Sequence, residues 1–494
     1  PGAYRRRSVC LQPRQHPAGG GSDRHTYKSR DRWIAMGREL RIGLLVLSAL
    51  STSSIIQANA LVDGVVDRLS EYIRVDTTNP PGNEQRGVVY LSKILDASGI
   101  SYKTVESAPA RGNLWAKLEG GDKPALVLLH HIDVVPADPS YWSVDPYAGL
   151  VKEGYLYGRG ALDMKSLGIV QLQAFLALHE TGKRLNRDVI YLATADEEAG
   201  GYAGVGWLIE NRPDLFDSVG FVLNEGGGGR FMGEDDVVFT VEVTQKIPVW
   251  LRLVARGNPG HGSAPQVETA VSRLIRAAYR LVDTRFKSEV IKPVREMFRG
   301  LAPYQDARYI EAFRNIEDFV DDPDFMQSLQ LVNPGLHALL RNTCSVTVLQ
   351  GSSKINVVPP EAALELDCRV LPTQDVDGFI EQIQTLINDP NIEIERIMSF
   401  TPAVSSTTTS LFEAIRGTAK KNYPEAKVIP GVTTGFTDSH FFRDIGINSY
   451  GFAPFVLRPG EGSGVHGNDE RIGIETLKEG TQLMIDLLQE FTTD

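Results

Sequence analysis

The chain has 494 residues, more than the roughly 250–300 that one hydrophobic core usually supports, so we expect two domains. Its 42% hydrophobic and 23% charged residues are typical of a globular enzyme. The formal net charge of -11 at pH 7 argues against nucleic acid or an anionic membrane surface as a partner.

The first sixty residues differ in composition from the rest of the chain. Residues 1–35 are rich in Arg, Gly, Pro and Ser and lack hydrophobic periodicity, which predicts an unstructured upstream segment. A basic stretch from Met36, an apolar run over 42–50 and the small residues that end at Ala60 predict a signal peptide over 36–60, cleaved after Ala60. A buried helix is the alternative for the apolar run. No later run has the ~18 apolar residues of a membrane span, so we expect an exported chain, periplasmic or secreted, that leaves the membrane after cleavage.

From residue 61 to about 245, short apolar runs alternate with amphipathic patterns. Helical spacing predicts helices over 65–73, 87–99, 166–179 and 202–211. Continuous apolar runs predict buried strands over 125–130, 188–195 and 220–224. This alternation favours an α/β fold with a helix-covered, mostly parallel sheet.

The pattern changes near residue 246. Strands are predicted over 250–255, 345–349, 362–370 and 392–398, and helices over 268–285 and 376–388, with a mostly helical, polar stretch over 287–340. These elements predict an inserted α+β domain over 246–400. The strand and helix pattern then returns over 401–494, so we expect 61–245 and 401–494 to form one domain.

Acidic and histidine residues follow three of the predicted buried strands. His131 and Asp133 follow the first, the pair Glu197-Glu198 the second, and Glu225 the third. Each signal is weak by itself, because adjacent acids usually form a solvated face. However, ligand sites in α/β sheets lie beyond the carboxyl ends of the strands. The glycines at 226–229 lack the phosphate-loop pattern, so we do not expect a phosphate site there.

Two further residues, Asp163 and His466, complete a set that suits metal ions. The set holds two imidazoles and three carboxylates, which two zinc ions need if positions stay open for water and substrate. One acid of the Glu197-Glu198 pair then remains to carry protons. Asp133 has the residue type and spacing to orient His131 through its second ring nitrogen. The sequence therefore suggests a hydrolase with two metal ions.

Six segments resemble co-catalytic zinc metallopeptidase family 20, which includes aminoacylase, glutamate carboxypeptidase, carnosinase-like dipeptidases and succinyl-diaminopimelate desuccinylase. The resemblance extends from about residue 64 to the C-terminus. The segments that carry it are 131–136 (HIDVVP), 157–165 (YGRGALDMK), 196–200 (DEEAG), 224–226 (NEG), 260–265 (GHGSAP) and 466–470 (HGNDE).

The resemblance implies a role for each residue of the set. Two zinc ions per subunit are expected, with cobalt or manganese as substitutes in vitro. Asp163 would bridge the two ions, Glu198 and His466 would bind one, and His131 and Glu225 the other. Asp133 would orient His131, and Glu197 would be the general base. The family also implies a cis peptide between Asp163 and Met164.

The resemblance further implies that 246–400 is a lid and dimerisation domain, so a homodimer is expected. His261 would enter the partner subunit's site and polarise the scissile carbonyl. Asn356 and Arg369 would grip the substrate and its carboxylate, and Gly435 would approach the substrate backbone. The alternative for Arg369 is a structural ion pair with Asp367 or another neighbour.

Glu225 and the large helical stretch 287–340 are most similar to the branch of vacuolar carboxypeptidase and secreted N-acyl amino acid amidohydrolases. We therefore expect a hydrolase that cleaves the amide of small peptides carrying a free carboxylate, as carboxypeptidases and dipeptidases do. An N-acyl amino acid amidohydrolase is the alternative, and a non-catalytic ligand-binding relative is a remote one.

Two cysteines remain after the leader, Cys344 and Cys368. They lie at matching positions of a predicted antiparallel hairpin, so an exported chain could join them in a disulfide. Because the sequence does not supply the geometry that a disulfide needs, our expectation is two buried free thiols.

Overall fold

A computed structural model describes residues 59–233, 236–462 and 464–493. The predicted upstream segment and nearly all of the predicted signal peptide lie outside the described residues. Among the helices that are described, none is long and apolar enough to cross a membrane.

The strands of the described residues form one large mixed sheet, a four-stranded sheet and two small sheets of three and two strands. In chain order the strands are β1 (Tyr102–Ala108), β2 (Arg111–Leu118), β3 (Lys123–His131), β4 (Leu150–Lys152), β5 (Tyr155–Tyr157), β6 (Arg187–Thr194), β7 (Val219–Asn224), β8 (Gly228–Phe231), β9 (Val237–Gln245), β10 (Ile247–Arg256), β11 (Gly260–His261), β12 (Thr343–Gln350), β13 (Val357–Val358), β14 (Glu361–Val370), β15 (Ile392–Ser399), β16 (Lys427–Thr433), β17 (Asn448–Gly451), β18 (Val456–Leu457) and β19 (Arg471–Gly473).

Helices cover these sheets and fill the connections between strands. In chain order the α-helices of the described residues are α1 (Val65–Ile73), α2 (Glu84–Ala97), α3 (Lys165–Thr181), α4 (Val205–Asn211), α5 (Ala270–Asp283), α6 (Lys292–Leu301), α7 (Ile310–Arg314), α8 (Ile316–Phe319), α9 (Pro323–Val332), α10 (Pro334–Ala338), α11 (Val376–Ile387), α12 (Ser410–Asn422), α13 (Ser439–Asp444) and α14 (Ile474–Thr492).

The large sheet has the strand order β1-β2-β6-β3-β7-β17-β9-β8-β18, and β16 also pairs with β9. β3 pairs in parallel with β6 and β7, and β7 pairs in parallel with β17, so the centre of the sheet is parallel. β1, β2 and β8 form antiparallel pairs towards the two ends. The predicted helix-covered α/β sheet is confirmed, with a mixed rather than nearly uniform strand direction.

Burial on both faces explains the apolar character of the central strands. Every residue of β3 from Ala125 to His131 is buried. On one face lies α3, whose residues from Lys165 to Leu178 are all buried, and α14 packs on α3 in turn. Because helices cover the sheet, its central strands are continuous apolar runs without a solvent-facing side.

The inserted segment folds around its own antiparallel sheet, of order β12-β14-β10-β15. α5 packs on β10 and β14, and α11 packs on α5. Leu251, Leu274, Leu364 and Ile383 lie in the resulting core. We call this four-stranded sheet with α5 and α11 the lid.

The helices between α5 and β12 form a separate layer with a core of their own. The rings of Phe298 and Phe313 lie 4.8 Å apart in that core. α6 packs on β16 of the large sheet, where a Cβ added at Gly300 would come within 2.4 Å of a methyl carbon of Ile429. The stretch 287–340 therefore packs against the large sheet as well as extending the lid.

The two mature-chain cysteines are joined, so the expectation of free thiols is wrong. Cys344 of β12 and Cys368 of β14 are direct partners in the antiparallel register, with Cα atoms 4.0 Å apart, and a disulfide links them. The sequence places both cysteines at matching hairpin positions. Whether their side chains face each other depends on the register of the folded sheet.

We predict that replacing both Cys344 and Cys368 by serine lowers the free energy of unfolding by about 2–4 kcal/mol, because the open chain gains conformational entropy in the unfolded state. Denaturant unfolding of the full chain with and without reductant measures the change. Alkylation of the denatured, non-reduced protein at either position would contradict the bond.

Candidate metal centre

The sheet order brings three groups of polar residues to one edge. His131 is the last residue of β3, Glu197 follows β6 in a short 3-10 turn, and Glu225 directly follows β7. Since β3 lies between β6 and β7 and runs parallel to both, the carboxyl ends of all three strands meet. The structure therefore brings these three predicted site residues to one edge of the sheet.

Asp163 lies between two imidazoles. Its Oδ1 is 3.1 Å from Nε2 of His131, and its Oδ2 is 3.2 Å from Nε2 of His466. Glu225 places Oε1 3.7 Å from Nε2 of His131, and Glu198 places Oε2 3.2 Å from Nε2 of His466. Two triplets of donors result, and Asp163 belongs to both.

The residues present fit two divalent cations. In each triplet the donor atoms lie within 4.8 Å of one another. Imidazole nitrogens and carboxylate oxygens are the ligands of zinc in hydrolases. A third combination joins His131 to Glu197 and Glu198, but Oε2 of Glu197 is 4.0 Å from His131 Nε2, farther than Asp163. This leaves Glu197 beside the two triplets.

The peptide between Asp163 and Met164 is cis, as the resemblance implied. The loop that carries Asp163 is held by the carboxylate of Glu470, which accepts hydrogen bonds from the main-chain N–H of Leu162 at 2.7 Å and of Asp163 at 3.0 Å. Arg159 completes the brace with a 2.6 Å ion pair to Glu470. Glu470 therefore ties the Asp163 loop to the chain segment that presents His466.

A buried carboxylate, that of Asp133, connects the strand ends. Its Oδ2 accepts from the main-chain N–H of Glu198 at 3.1 Å, and its Oδ1 accepts from that of Glu197 at 3.3 Å. Nδ1 of His131 lies 2.9 Å from the carbonyl oxygen of Asp133 and 3.5 Å from its Oδ1. Asp133 thus orients the imidazole through main chain and side chain together, and it also fixes the turn that carries both glutamates.

A second group of residues, which no local sequence signal indicates, supports Asp133. Asn79 donates to Asp133 Oδ2 at 2.8 Å and accepts from Arg111 at 3.1 Å. Arg111 also pairs with buried Glu84 at 2.6 Å and with Asp196 at 3.3 Å. These residues come from distant parts of the chain, and the peptides before and after Pro80, beside Asn79, are both cis.

The concentration of buried acids alters their protonation. Burial, followed by repulsion from neighbouring carboxylates, raises the pKa of Glu197 and of Glu225 well above the ordinary value. Burial also raises the pKa of Glu198, and burial with nearby acids raises that of Asp438 to about 8. Such a cluster carries more negative charge than its imidazoles offset, which favours bound cations.

His130 has no part in the cluster. Its ring is fully buried, lies 3.4 Å from the hydroxyl of Tyr72, and leaves room at position 168 only for glycine. Burial lowers the pKa of His130 to about 3, so it is a neutral core residue, as its alternation with His131 along the strand predicts.

His261 and Asn356 share an exposed hairpin formed by β11 and β13. The N–H of Gly262 donates to the carbonyl of Asn356 at 2.9 Å, and Nδ1 of His261 accepts from the N–H of Ser263 at 3.1 Å. Within the described residues, neither side chain contacts the carboxylate cluster. The structure therefore does not bring these two predicted site residues to the metal ligands of their own chain.

Arg369 and Gly435 come together around one aromatic ring. The guanidinium carbon of Arg369 lies 5.8 Å from the ring centre of Phe436, the residue after Gly435. Arg369 forms the alternative ion pair with Asp367, through contacts of 2.7 and 3.2 Å. Its buried Nη1 has no hydrogen-bond partner among the described residues. That nitrogen therefore has N–H groups left to donate.

Known proteins resemble this chain in sequence. A family model described as peptidase family M20/M25/M40 matches residues 127–490. An N-fatty-acyl-amino acid synthase/hydrolase, PM20D1 of Xenopus tropicalis, is 33% identical over 444 residues, 87% of this chain and 86% of the relative. A probable carboxypeptidase S-like 2 of Dictyostelium discoideum is 29% identical over 377 residues, 74% of this chain and 71% of the relative.

The fold is also found in solved structures. The M20 family metallo-carboxypeptidase Sso-CP2 of Sulfolobus solfataricus superposes with a TM-score of 0.69 at 21% sequence identity, and the match covers 86% of this chain and 99% of that one. At this identity the similarity concerns the fold.

We predict that Asp133→Asn weakens zinc affinity by about 10- to 100-fold, because an amide cannot accept from both glutamate N–H groups and orient His131 as a carboxylate does. Competition with a chromophoric chelator measures the affinity. Asp138→Asn is the matched control, since among the described residues the exposed Asp138 carboxylate accepts hydrogen bonds only from Ser140. Equal affinities in the two variants would contradict the role given to Asp133.

Metal binding should release a proton from His466. Hydrogen bonds to Asp163 and Glu198 raise the pKa of His466 to about 10 in the metal-free chain, so the ring is protonated at pH 7. A ligand imidazole must be neutral, so zinc affinity should rise with pH, by about tenfold per unit for each proton displaced.

Calorimetry at pH 7 in buffers of different ionisation enthalpy counts the protons released. His466→Asn is the control, because asparagine tolerates the left-handed φ of 54° at this position. When zinc binds, this variant should release one proton fewer than the wild type. An unchanged count would show that zinc does not displace a proton from His466.

Proposed function

The chain belongs to peptidase family M20/M25/M40 and is a hydrolase of that family, and on this basis we propose that it cleaves the amide bond of N-acyl amino acids with two zinc ions. The observation that carries the proposal is the position of Asp163, with one carboxylate oxygen towards each of two imidazoles. A shared carboxylate of this kind is what a two-metal hydrolase requires.

We propose N-acyl amino acids, rather than small peptides, as the first substrate class. The Xenopus relative whose name includes N-fatty-acyl-amino acid hydrolase aligns with most of this chain at 33% identity. Carboxypeptidase or dipeptidase action is the second candidate, supported by the Dictyostelium relative. Both substrate classes offer a free carboxylate next to the amide.

Five residues would hold the ions, with Asp163 shared between them. The proposed ligands are His131 and Glu225 for one ion, Glu198 and His466 for the other, and Asp163 for both. Bound zinc would supply Lewis acidity, which polarises the amide carbonyl and acidifies water. Cobalt or manganese would serve in vitro, since these ligand types do not select strongly among such ions.

Glu197 would carry the proton. Its side chain is buried, and its main chain is fixed by Asp133, so the carboxylate is held beside the two triplets. A carboxylate held there can act as a general base towards water in the site. It would take a proton from the attacking water as oxygen bonds to the amide carbon. It would then deliver that proton to the leaving nitrogen as the carbon–nitrogen bond breaks.

Arg369, Asn356 and Gly435 would position the substrate. The free Nη1 of Arg369 is suited to the substrate carboxylate, and Phe436 beside Gly435 would line the same pocket. His261 would donate to the developing oxyanion from a second subunit. Loss of one such donor typically lowers the rate by about 10²–10³.

The lid has surfaces suited to a homodimer. Ile275, Tyr279 and Val282 form an exposed apolar stripe along α5, with side chains 55%, 70% and 72% exposed. β12, beside α5, is an edge strand of the lid sheet and has no partner on its outer side among the described strands. Exposed apolar faces and open strand edges are typical of protein interfaces.

The predicted leader supports an exported, periplasmic or secreted, enzyme.

A substrate panel tests the reaction. We expect the zinc-loaded chain to hydrolyse N-acyl amino acids, to act more slowly on dipeptides, and to fail on methyl esters that block the carboxylate. Glu197→Gln should lower kcat by about 10²–10⁴ with zinc content unchanged, because only the proton carrier is lost. Equal turnover by wild type and Glu197→Gln would refute the mechanism, and turnover of dipeptides alone would favour the second candidate.

Mixed dimers test the origin of His261. Glu197→Gln and His261→Ala should each be nearly inactive with two zinc ions bound. Random pairing of the two variants by co-expression should restore roughly one quarter of the activity, since half of the dimers would hold one complete site. Absence of recovery in confirmed mixed dimers would show that His261 does not act across the interface.

A further inference from the structure

A cavity lies where the helices of 287–340 meet the lid. It has a volume of about 610 Å³, and its lining includes no residue of the metal centre described above. The walls come from the end of α5, the start of α9 and the residues that lead into β12. This volume is within the range of ligand-binding pockets, roughly 300–1,000 Å³.

Main-chain pairing brings basic side chains to this cavity from two segments. Ser288 and Arg341 form an antiparallel bridge, and the N–H of Glu289 donates to the carbonyl of Leu340 at 2.9 Å. As a result, Arg285 and Lys287 of one segment and Arg341 of the other line the same cavity. Three cations at one opening are unusual in a chain with a net charge of -11.

The basic groups are not neutralised by the protein. Nη2 of Arg341 donates to the neutral hydroxyl of Ser288 at 2.9 Å, and the buried Nε of Arg341 has no hydrogen-bond partner. In the part of the chain that the structure describes, no carboxylate forms an ion pair with Arg285, Lys287 or Arg341. An anion is therefore the ligand that this end of the cavity is suited to bind.

Two acids also line the cavity, and within the described residues neither forms an ion pair with its basic groups. Asp322 is occupied at the start of α9, where its carboxylate accepts from the main-chain N–H of Asp324 and of Phe325. Asp321 acts on Arg341 from a distance, without an ion pair. Burial and the positive charges of Arg341, Lys246 and Arg285 lower the pKa of His337, in the same wall, to about 4.

The rest of the lining mixes polar side chains, among them Gln327 and Asn342, with apolar ones. Leu281, Phe286, Val320 and Met326 contribute to the cavity, and each of these side chains is otherwise buried in the protein. An inorganic anion would not fill a cavity of about 610 Å³. An aliphatic chain would cover the apolar side chains and remove apolar surface from water.

We propose that this cavity binds an amphipathic anion, a carboxylate or comparable headgroup carried on an aliphatic chain. The headgroup lies at Arg285 and Arg341, and the chain lies against Phe286 and Met326. This site is separate from the metal centre and does not depend on the reaction proposed there.

Calorimetric titration of the full, zinc-loaded chain with sodium decanoate tests the site. Arg285→Glu should weaken decanoate binding by about tenfold, equivalent to about 1.4 kcal/mol, and Arg285→Glu combined with Arg341→Gln should weaken it further. Arg308→Glu is the matched control, because Arg308 is exposed in the same helical stretch and does not line the cavity. It should change the affinity by less than about twofold.

Two other probes separate the parts of the proposal. Decyltrimethylammonium has the same chain with a positive head, and inorganic phosphate has charge without a chain; both should bind at least about tenfold more weakly than decanoate. Unchanged decanoate affinity in Arg285→Glu would overturn the proposal, and so would equal binding of either probe. Since Arg285 is exposed, its single variant should fold, and a thermal melt confirms this. Arg369→Ala identifies any decanoate bound at the metal centre, whose loss would leave the cavity site intact.

Discussion

The arrangement of the centre depends on the buried carboxylate of Asp133. Three parallel strands end side by side, but strand ends alone leave their side chains free to point in several directions. Asp133 removes that freedom, because it accepts the N–H groups of both Glu197 and Glu198 and lies beside the imidazole of His131. Its charge is stabilised by hydrogen bonds from His131 and Asn79, which lower its pKa although burial acts in the opposite direction. One side chain therefore sets the positions of a proposed ligand from β3 and of two acids after β6.

A second constraint is the repulsion among acids held close together. Braces that do not themselves need a metal hold these acids in place against their repulsion. Glu470 holds the loop of Asp163, and Arg111 joins Glu84, Asp196 and Asn79 behind Asp133. Such braces keep the ligands in place before cations bind, which reduces the reorganisation that binding would otherwise require. The acids are thus held in positions that suit the binding of cations.

The sequence predicted the central strands and the residues at their ends because both depend on local signals. Strands buried on both faces are continuous apolar runs; His131 ends one of them, and Glu198 and Glu225 follow the other two within four residues. β1 and β2 had no such signal, since β1 is a partly exposed edge strand with polar residues. Arg111, Glu84 and Asn79 were not predicted for a related reason: their roles arise from contacts between distant segments. The pairing of Cys344 with Cys368 likewise depends on sheet register, which residue spacing alone does not determine.

The proposed reaction depends on an arrangement in which two metal ions lie at the strand ends and share Asp163. Anomalous diffraction from crystals of the zinc-loaded protein, recorded above and below the zinc edge, tests it directly. This arrangement should give two anomalous peaks per chain, one beside His131 and Glu225 and one beside Glu198 and His466, with the carboxylate of Asp163 contacting both. A single peak, or two peaks that do not share Asp163, would contradict it.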